Sequence, residues 1–130
     1  MRLYKELLEK AQSIKPRLIA MRRTIHQTPE TEFDCQQTAA FGAAALEDAG
    51  WVATTGIGRT GVVGLLEGDA PGKTFLIRAD MDAILVTEET GAPYASLIPG
   101  KMHACGHDAH TAMALGAALL LSDRRSRSEE

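Results

Sequence analysis

The sequence has few aromatic residues, few cysteines and no long apolar run, and each shortage excludes a class of protein. Aromatic side chains make up 5% of the 130 residues, so aliphatic side chains and alanine must fill any buried core. Two cysteines, Cys35 and Cys105, are too few for a disulfide framework, which favours a reducing, cytoplasmic compartment. The longest apolar stretch, 112–121, is far shorter than the roughly 20 residues of a membrane span, so we expect no membrane partner.

Charge of either sign is not in large excess. The formal net charge is −3 and the isoelectric point is near 5.8, which predicts that the chain does not bind nucleic acid. Hydrophobic residues make up 45% and charged residues 24%, an ordinary balance for a globular protein. The length suits one small domain or part of a larger one.

Hydrophobic periodicity predicts two helices in the first part of the chain. Apolar residues recur at steps of three and four positions from Leu3 to Ile25, and this phase continues across Pro16. The pattern therefore predicts one helix with a proline inside it rather than two helices. Asp34 is the expected N-cap of a second helix, and Gly50 fits the position just past its end.

Runs of strand-forming residues predict a β-hairpin in the middle of the chain. Val62–Leu66 and Thr74–Ile77 lie on either side of a glycine- and proline-containing turn, Gly68–Gly72. Trp51–Thr54 predicts a further short strand. Ala83–Ala104 contains prolines and glycines and is expected to be a long irregular loop, of the kind that is often functional.

A last helix is predicted from Ala109 to Leu121, with Asp108 as its cap. This helix is apolar on nearly every face, so we expect other elements to bury it on several sides. The composition changes abruptly after it, because Ser122–Glu130 contains no apolar residue. We therefore divide the chain into a domain portion, 1–121, and a polar tail, 122–130.

Potential metal ligands are concentrated just before this helix. The window contains His103, Cys105, His107, Asp108 and His110. Thiolate and imidazole are preferred ligands of zinc and similar divalent metals, and an extended segment would place residues 105 and 107 on the same side. The alternative is an ordinary capped helix start with exposed histidines, and the residues alone leave both interpretations open.

Two acidic residues follow the predicted second strand of the hairpin. Asp80 and Asp82 alternate along the chain, so both carboxylates can point the same way. One carboxylate would bind a metal and the other would orient a ligand. The alternative is a polar strand end whose charge the adjacent Arg78 neutralises.

Other polar residues have competing interpretations. Glu88 and Glu89 are candidates for a general base in the loop, although a solvated pair of side chains is the favoured interpretation. Cys105 and His107 would form a nucleophile and base only in an awkward geometry. His26, in the last turn of the first helix, is expected to interact with the helix dipole.

These motifs together resemble a known family. The segments 102–113 (MHACGHDAHTAM), 22–30 (RRTIHQTPE), 78–83 (RADMDA) and 87–89 (TEE) look like those of the aminoacylase and hippurate hydrolase metallopeptidases. The similarity is greatest to the branch of N-acyl-amino-acid amidohydrolases and indole-acetyl-amino-acid hydrolases. It extends from the start of the chain to about Leu121.

The resemblance implies roles for individual residues. Cys105 and His107 match metal ligands of a two-metal site, and Asp82 matches an acidic residue that supports the site. Asp80 lies where related branches have a ligand, and Asp80, Asp108 and His110 are each candidates to bind a metal or support one. The general base of the family has no counterpart in this chain.

The implied fold is α/β: the N-terminal part of a zinc-peptidase-like catalytic domain, truncated, with helices packed on a mixed sheet. The implied function is hydrolysis of the amide bond of a small-molecule N-acyl amino acid, of the aminoacylase or hippurate hydrolase type. The cofactor would be two divalent metal ions, zinc or manganese, with nickel and cobalt as alternatives. The competing hypothesis is an inactive portion of such an enzyme that binds metal or associates with itself.

Overall fold

The computed structural model describes residues 2–125. Three helices and a two-stranded sheet follow one another along the chain, which confirms the predicted α/β class. The elements are α1 Arg2–Gln27, α2 Gln36–Asp48, β1 Val52–Ile57, β2 Gly61–Leu65 and α3 His107–Arg125. Within residues 2–125, every helix falls short of the length and hydropathy that a membrane span requires.

The first helix is continuous, as the periodicity predicts. Pro16 lies inside α1 without ending it, and the helix stops at Gln27 ahead of the predicted breaker at Pro29. Its buried residues are Met21, Ile25 and His26, all in the second half. The part of α1 that packs against the rest of the molecule is therefore the part that carries a buried histidine.

The predicted cap of α2 is wrong. The helix starts at Gln36, so the N-cap position belongs to Cys35, whose side chain makes no capping hydrogen bond. The carboxylate of Glu30 instead accepts hydrogen bonds from the backbone N–H groups of Gln37 and Thr38, at 2.9 and 2.8 Å. An acidic side chain there also matches the positive end of the helix dipole. At the other end, Gly50 has a φ of 83° and follows the C-cap, as predicted.

The strand pairing also differs from the predicted hairpin. β2 pairs with β1 in an antiparallel sheet, with Val52 opposite Leu65, and not with 74–77. Only three residues, 58–60, connect β1 and β2, so their pairing closes a shorter loop than the predicted one. Phe75 and Leu76 are 87% and 86% exposed, and the described chain contains no strand beside them.

The last helix is longer than predicted and packs against both other helices. It begins at His107, so Asp108 lies inside its first turn, and it continues through the polar residues to Arg125. Trp51 donates a hydrogen bond to Oγ of Ser122 at 2.7 Å, and Lys10 lies 3.5 Å from Asp123. These polar contacts hold the part of the helix that follows its apolar residues. The domain boundary after Leu121 stays a prediction, and 126–130 of the proposed tail lie outside the described residues.

The core lies where α3 crosses α1. Met21, Ala112 and Leu115 are buried there, with Leu18, Phe41, Ala45 and Leu46 packed around them. The crossing is close at Gly116, where an added Cβ would lie 2.8 Å from a methyl group of Leu18. The start of α3 is thereby held against the second half of α1, beside the histidine-rich window.

Candidate metal centre

Three segments come together at the start of α3. Residues 83 and 84 hydrogen-bond with Glu30 and Met102, through Ala83 N to Glu30 O at 2.6 Å and a reciprocal pair between Ile84 and Met102. The side chain of Thr111, in α3, donates to the backbone oxygen of Asp80 at 3.0 Å. These bonds place the acidic residues 80 and 82 beside the first turn of α3.

Asp82 fixes the orientation of His107. Nδ1 of His107 lies 2.9 Å from the backbone oxygen and 3.0 Å from Oδ1 of Asp82. Both neighbours are acceptors, so Nδ1 donates its hydrogen and the neutral ring keeps its lone pair on Nε2. A carboxylate behind an imidazole is a common arrangement at metal sites, because it sets the tautomer and raises the basicity of the ligand nitrogen.

The free nitrogen of His107 faces two other potential ligands. Nε2 lies 3.9 Å from Oδ2 of Asp80. Ligand atoms of Asp80, His107 and His110 all lie within 4.8 Å of one another. We call these three residues the metal cluster. Zinc ligands at about 2.0–2.2 Å lie roughly 3.3 Å apart in a tetrahedron, so a modest contraction would bring all three onto one ion.

The donor types of the metal cluster suit a divalent metal. Two imidazoles and one carboxylate form a frequent ligand set of zinc in hydrolases, in which a further position stays open. Arg78 pairs with Asp80, as its neighbouring position in the sequence suggests. The Arg78 side chain is 76% exposed, so this surface ion pair is weak and does not prevent metal binding.

Cys105 does not belong to this three-residue group. Its side chain is exposed, in the turn that leads into α3. Gly106, with a φ of 85°, follows it and redirects the chain into the helix. The role of Cys105 as a metal ligand therefore rests on the sequence resemblance and stays a prediction.

Asp108 points into a different environment. It is fully buried, and its Oδ2 lies 2.7 Å from both Nε of Arg22 and Nδ1 of His26. Its other oxygen accepts a hydrogen bond from the backbone of Ala109 at 2.8 Å. Asp108 is thus paired with α1 and lies outside the metal cluster, although it is adjacent in sequence to His107.

The side chain of Glu88 is buried, so the interpretation of Glu88 and Glu89 as a solvated pair is wrong for Glu88. Its side chain is 4% exposed, and Nε2 of His26 lies 3.1 Å from Oε1. Hydrogen bonds from Thr90 and from the backbone of Ser96, both 2.6 Å long, lower its pKa from 4.5 to about 2. So weak a base is unsuited to accept a proton near neutral pH. Glu89 is exposed, as predicted.

His103, one of the potential metal ligands in the sequence, is buried away from the metal cluster. It is 3% exposed, and neither ring nitrogen has a hydrogen-bond partner among the described residues. Burial lowers its pKa, so the ring is neutral near pH 7. Its ring centroid lies 6.3 Å from that of His26. Sequence reasoning missed Arg22 and His26 as partners of Asp108; their four-residue spacing on the buried side of α1 was the available signal.

Comparison with known proteins shows a similarity to one peptidase family. The sequence model of peptidase family M20/M25/M40 matches residues 76–129. N-acyl-L-amino acid amidohydrolase of Geobacillus stearothermophilus is 42% identical over 120 residues, which are 92% of this chain and 32% of that protein. The YXEP protein of Bacillus subtilis, a dinuclear metal-binding peptidase from the M20 family, has a TM-score of 0.83 at 40% identity. The superposition covers 88% of this chain and 32% of that one.

The chain is thus similar to enzymes of the M20 peptidase family. It covers about a third of the length of the curated relatives that it matches. N-acetyl-L-cysteine deacetylase of Bacillus subtilis is a further relative, 42% identical over 113 residues, which are 87% of this chain and 27% of that protein. The predicted resemblance is thereby confirmed. The family match reaches residue 129, past the boundary predicted after Leu121.

Proposed function

We propose that this chain carries part of the metal site of an amidohydrolase that cleaves N-acyl amino acids. The observation that carries the proposal is the convergence of Asp80, His107 and His110, with Asp82 behind His107. The proposal is supported by relatives described as amidohydrolases and deacetylases and by a dinuclear metal-binding peptidase of the same family. Two divalent metal ions, zinc or manganese, are the proposed cofactor.

Each residue has a defined part in this proposal. A bound divalent metal would supply Lewis-acid polarisation of the amide carbonyl and activation of water. His107 offers Nε2 as a ligand because Asp82 holds Nδ1. Asp80 offers a carboxylate oxygen from the adjacent segment, and His110 offers an imidazole nitrogen from the same helix as His107. Cys105 is proposed as a further ligand, on the sequence resemblance, from its exposed position in the turn before α3.

The substrate class follows from what the relatives share. Their names describe an N-acyl-L-amino acid amidohydrolase, an N-acetyl-L-cysteine deacetylase and an N-acetyldiaminopimelate deacetylase. An amide between a carboxylic acid and the amino group of an amino acid is common to all three. We therefore propose a small N-acyl amino acid as substrate, with hippurate as one member of the class, and a cytoplasmic location.

A second candidate function is metal binding without turnover. It is favoured by the exposed apolar side chains Phe75, Leu76 and Ile77, which are 87%, 86% and 61% exposed in this chain. Contiguous exposed apolar side chains favour association. In this alternative the isolated 130-residue chain binds metal weakly, associates with itself and does not hydrolyse amides, because the family's general base has no counterpart in it.

Two measurements on the purified chain separate these functions. Isothermal titration with Zn²⁺ is expected to show binding that disappears in the double variant Cys105→Ser, His107→Ala. Assays on N-acetyl amino acids and hippurate, with light scattering in parallel, then test turnover and association. Hydrolysis that a chelator abolishes and added metal restores supports the amidohydrolase. Metal binding without turnover supports the second candidate, and unchanged Zn²⁺ binding in the double variant refutes the site.

A further inference from the structure

A network of charged and polar side chains, three of them buried, lies next to the metal cluster. It consists of Arg22 and His26 from α1, Asp108 from α3 and Glu88 from the loop. Oδ2 of Asp108 lies 2.7 Å from Nε of Arg22 and 2.7 Å from Nδ1 of His26. Nε2 of His26 lies 3.1 Å from Glu88. We call these four residues the charge network.

Burial makes this network sensitive to the loss of any member. The side chains of His26, Asp108 and Glu88 are 3%, 0% and 4% exposed. A buried charge is tolerated only when it is paired, and removing one partner leaves the other uncompensated. Both ring nitrogens of His26 face carboxylates, Nδ1 that of Asp108 and Nε2 that of Glu88. Each contact therefore fixes the position of the next.

The network connects to the metal cluster through the backbone. Asp108 follows His107 directly, and both lie in the first turn of α3. The side chain of His107 is held from the other side by Asp82, through Nδ1. A rotation of the backbone at Asp108 would turn the peptide bond that joins it to His107. A shift of α3 would also move His110. The metal cluster is thus held by Asp82 through the ring of His107 and by Asp108 through the backbone of α3.

We propose that Arg22 and His26 are positioning residues for the metal cluster. They hold the carboxylate of Asp108 and thereby the start of α3, so that Nε2 of His107 faces Asp80 and His110. This inference rests on the proposed metal site. It assigns a role to two residues that bind no metal and lie on a different helix from His107.

A pair of substitutions at one position separates the two contacts of His26. The side-chain amide of His26→Asn places a donor where Nδ1 was, facing Asp108, whereas His26→Gln places one where Nε2 was, facing Glu88. If His26 positions the metal cluster by holding Asp108, we expect the Co²⁺ affinity of His26→Asn to exceed that of His26→Gln by about 10-fold. Visible absorption of Co²⁺ bound to the full 130-residue chain measures both affinities. Equal affinities would overturn the proposal.

Arg22 and Arg23 form a second matched pair. Both guanidinium groups lie over the ring of Tyr94, at 5.3 and 4.5 Å, but only Arg22 pairs with Asp108. We expect Arg22→Met to weaken Co²⁺ binding by about 10-fold and Arg23→Met to bind as the unsubstituted chain does. Equal losses in both variants would show that packing on Tyr94 is responsible, and would contradict the proposal.

The tautomer of His107 gives a readout that does not depend on metal. Its ring nitrogen chemical shifts in the metal-free chain report whether Nδ1 still donates to Asp82. We expect these chemical shifts to change in His26→Gln and to stay as in the unsubstituted chain in His26→Asn. Unchanged chemical shifts in His26→Gln would overturn the proposal. If Arg22→Met fails to fold, the milder Arg22→Lys replaces it. Absence of Co²⁺ binding in the unsubstituted chain would refute the metal site itself, and the chemical shifts would still decide the positioning role.

Discussion

Replacing Asp82 with asparagine tests whether this carboxylate tunes His107 as a metal ligand. Asp82 offers two acceptors to Nδ1, the backbone oxygen at 2.9 Å and Oδ1 at 3.0 Å. Asparagine keeps a side-chain oxygen and removes the negative charge, and the backbone oxygen is untouched. The ring should therefore keep its orientation and tautomer and lose only the basicity that a neighbouring anion confers.

The expected loss of Zn²⁺ affinity follows from the hydrogen-bond acceptors that remain beside Nδ1 of His107. Substitution of residues that hold metal-binding histidines lowers metal affinity by about 10- to 100-fold. Since both acceptor oxygens stay in place and only the charge is lost, we expect the lower limit, a loss of about 10-fold or about 1.4 kcal/mol in binding free energy. Titration calorimetry with Zn²⁺, at constant pH and ionic strength, measures the difference.

A matched control removes the same charge elsewhere. Asp48 is exposed at the end of α2, and Asp48→Asn changes the net charge of −3 by the same amount as Asp82→Asn. We expect Asp48→Asn to leave Zn²⁺ affinity unchanged. Equal affinities for Asp82→Asn and the unsubstituted chain would refute the role of the carboxylate. A loss as large as that of His107→Ala would refute the argument that the backbone oxygen keeps the ring in place.

Further predictions concern stability and metal dependence. The pKa of Glu88 is about 2 in the folded chain and 4.5 as its ordinary value, so its ionised form stabilises the fold above pH 4.5, and this contribution is lost as the pH falls toward 2. Urea unfolding across the acid range should therefore show a smaller loss of stability for Glu88→Gln than for the unsubstituted chain; identical profiles would contradict this. Glu30→Gln, which weakens the cap of α2, should cost about 1 kcal/mol in the free energy of unfolding, whereas Asp34→Asn should cost almost nothing, and the reverse order would restore Asp34 as the cap. Any hydrolysis of N-acyl amino acids should stop on chelation and return with metal; activity that survives chelation but is lost on thiol alkylation would favour Cys105 as a nucleophile.

The helices were predictable because their signals are local. Apolar residues at three- and four-residue steps predicted α1 across Pro16, and the apolar run after His107 predicted most of α3. The potential metal ligands could also be found from the sequence, since His107 and His110 lie three residues apart on one helix. The acidic pair at 80 and 82 was a candidate because it follows a strand-forming run, although the described chain shows no strand there.

The contacts that define the site depend on residues far apart in the chain. Sequence reasoning placed Glu88 in solvent, because a local window does not contain His26. It placed Asp34 at the helix cap, because the carboxylate that caps α2 belongs to Glu30, outside the usual N-cap position. The partner of β2 was mistaken for the same reason: two runs were equally good strands, and the shorter connection decided between them.

The sequence alone predicted the helices, the family resemblance and the types of candidate metal ligand, because periodicity and a dense motif are properties of neighbouring residues. Only the tertiary structure decided which partner each carboxylate has. Asp82 lies behind His107 and Asp80 in front of it, whereas Asp108, the nearest of the three in sequence, pairs with Arg22 and His26. The physical reason is that α3 packs across α1, which places one side of its first turn in the buried charge network and the other beside the acidic segment.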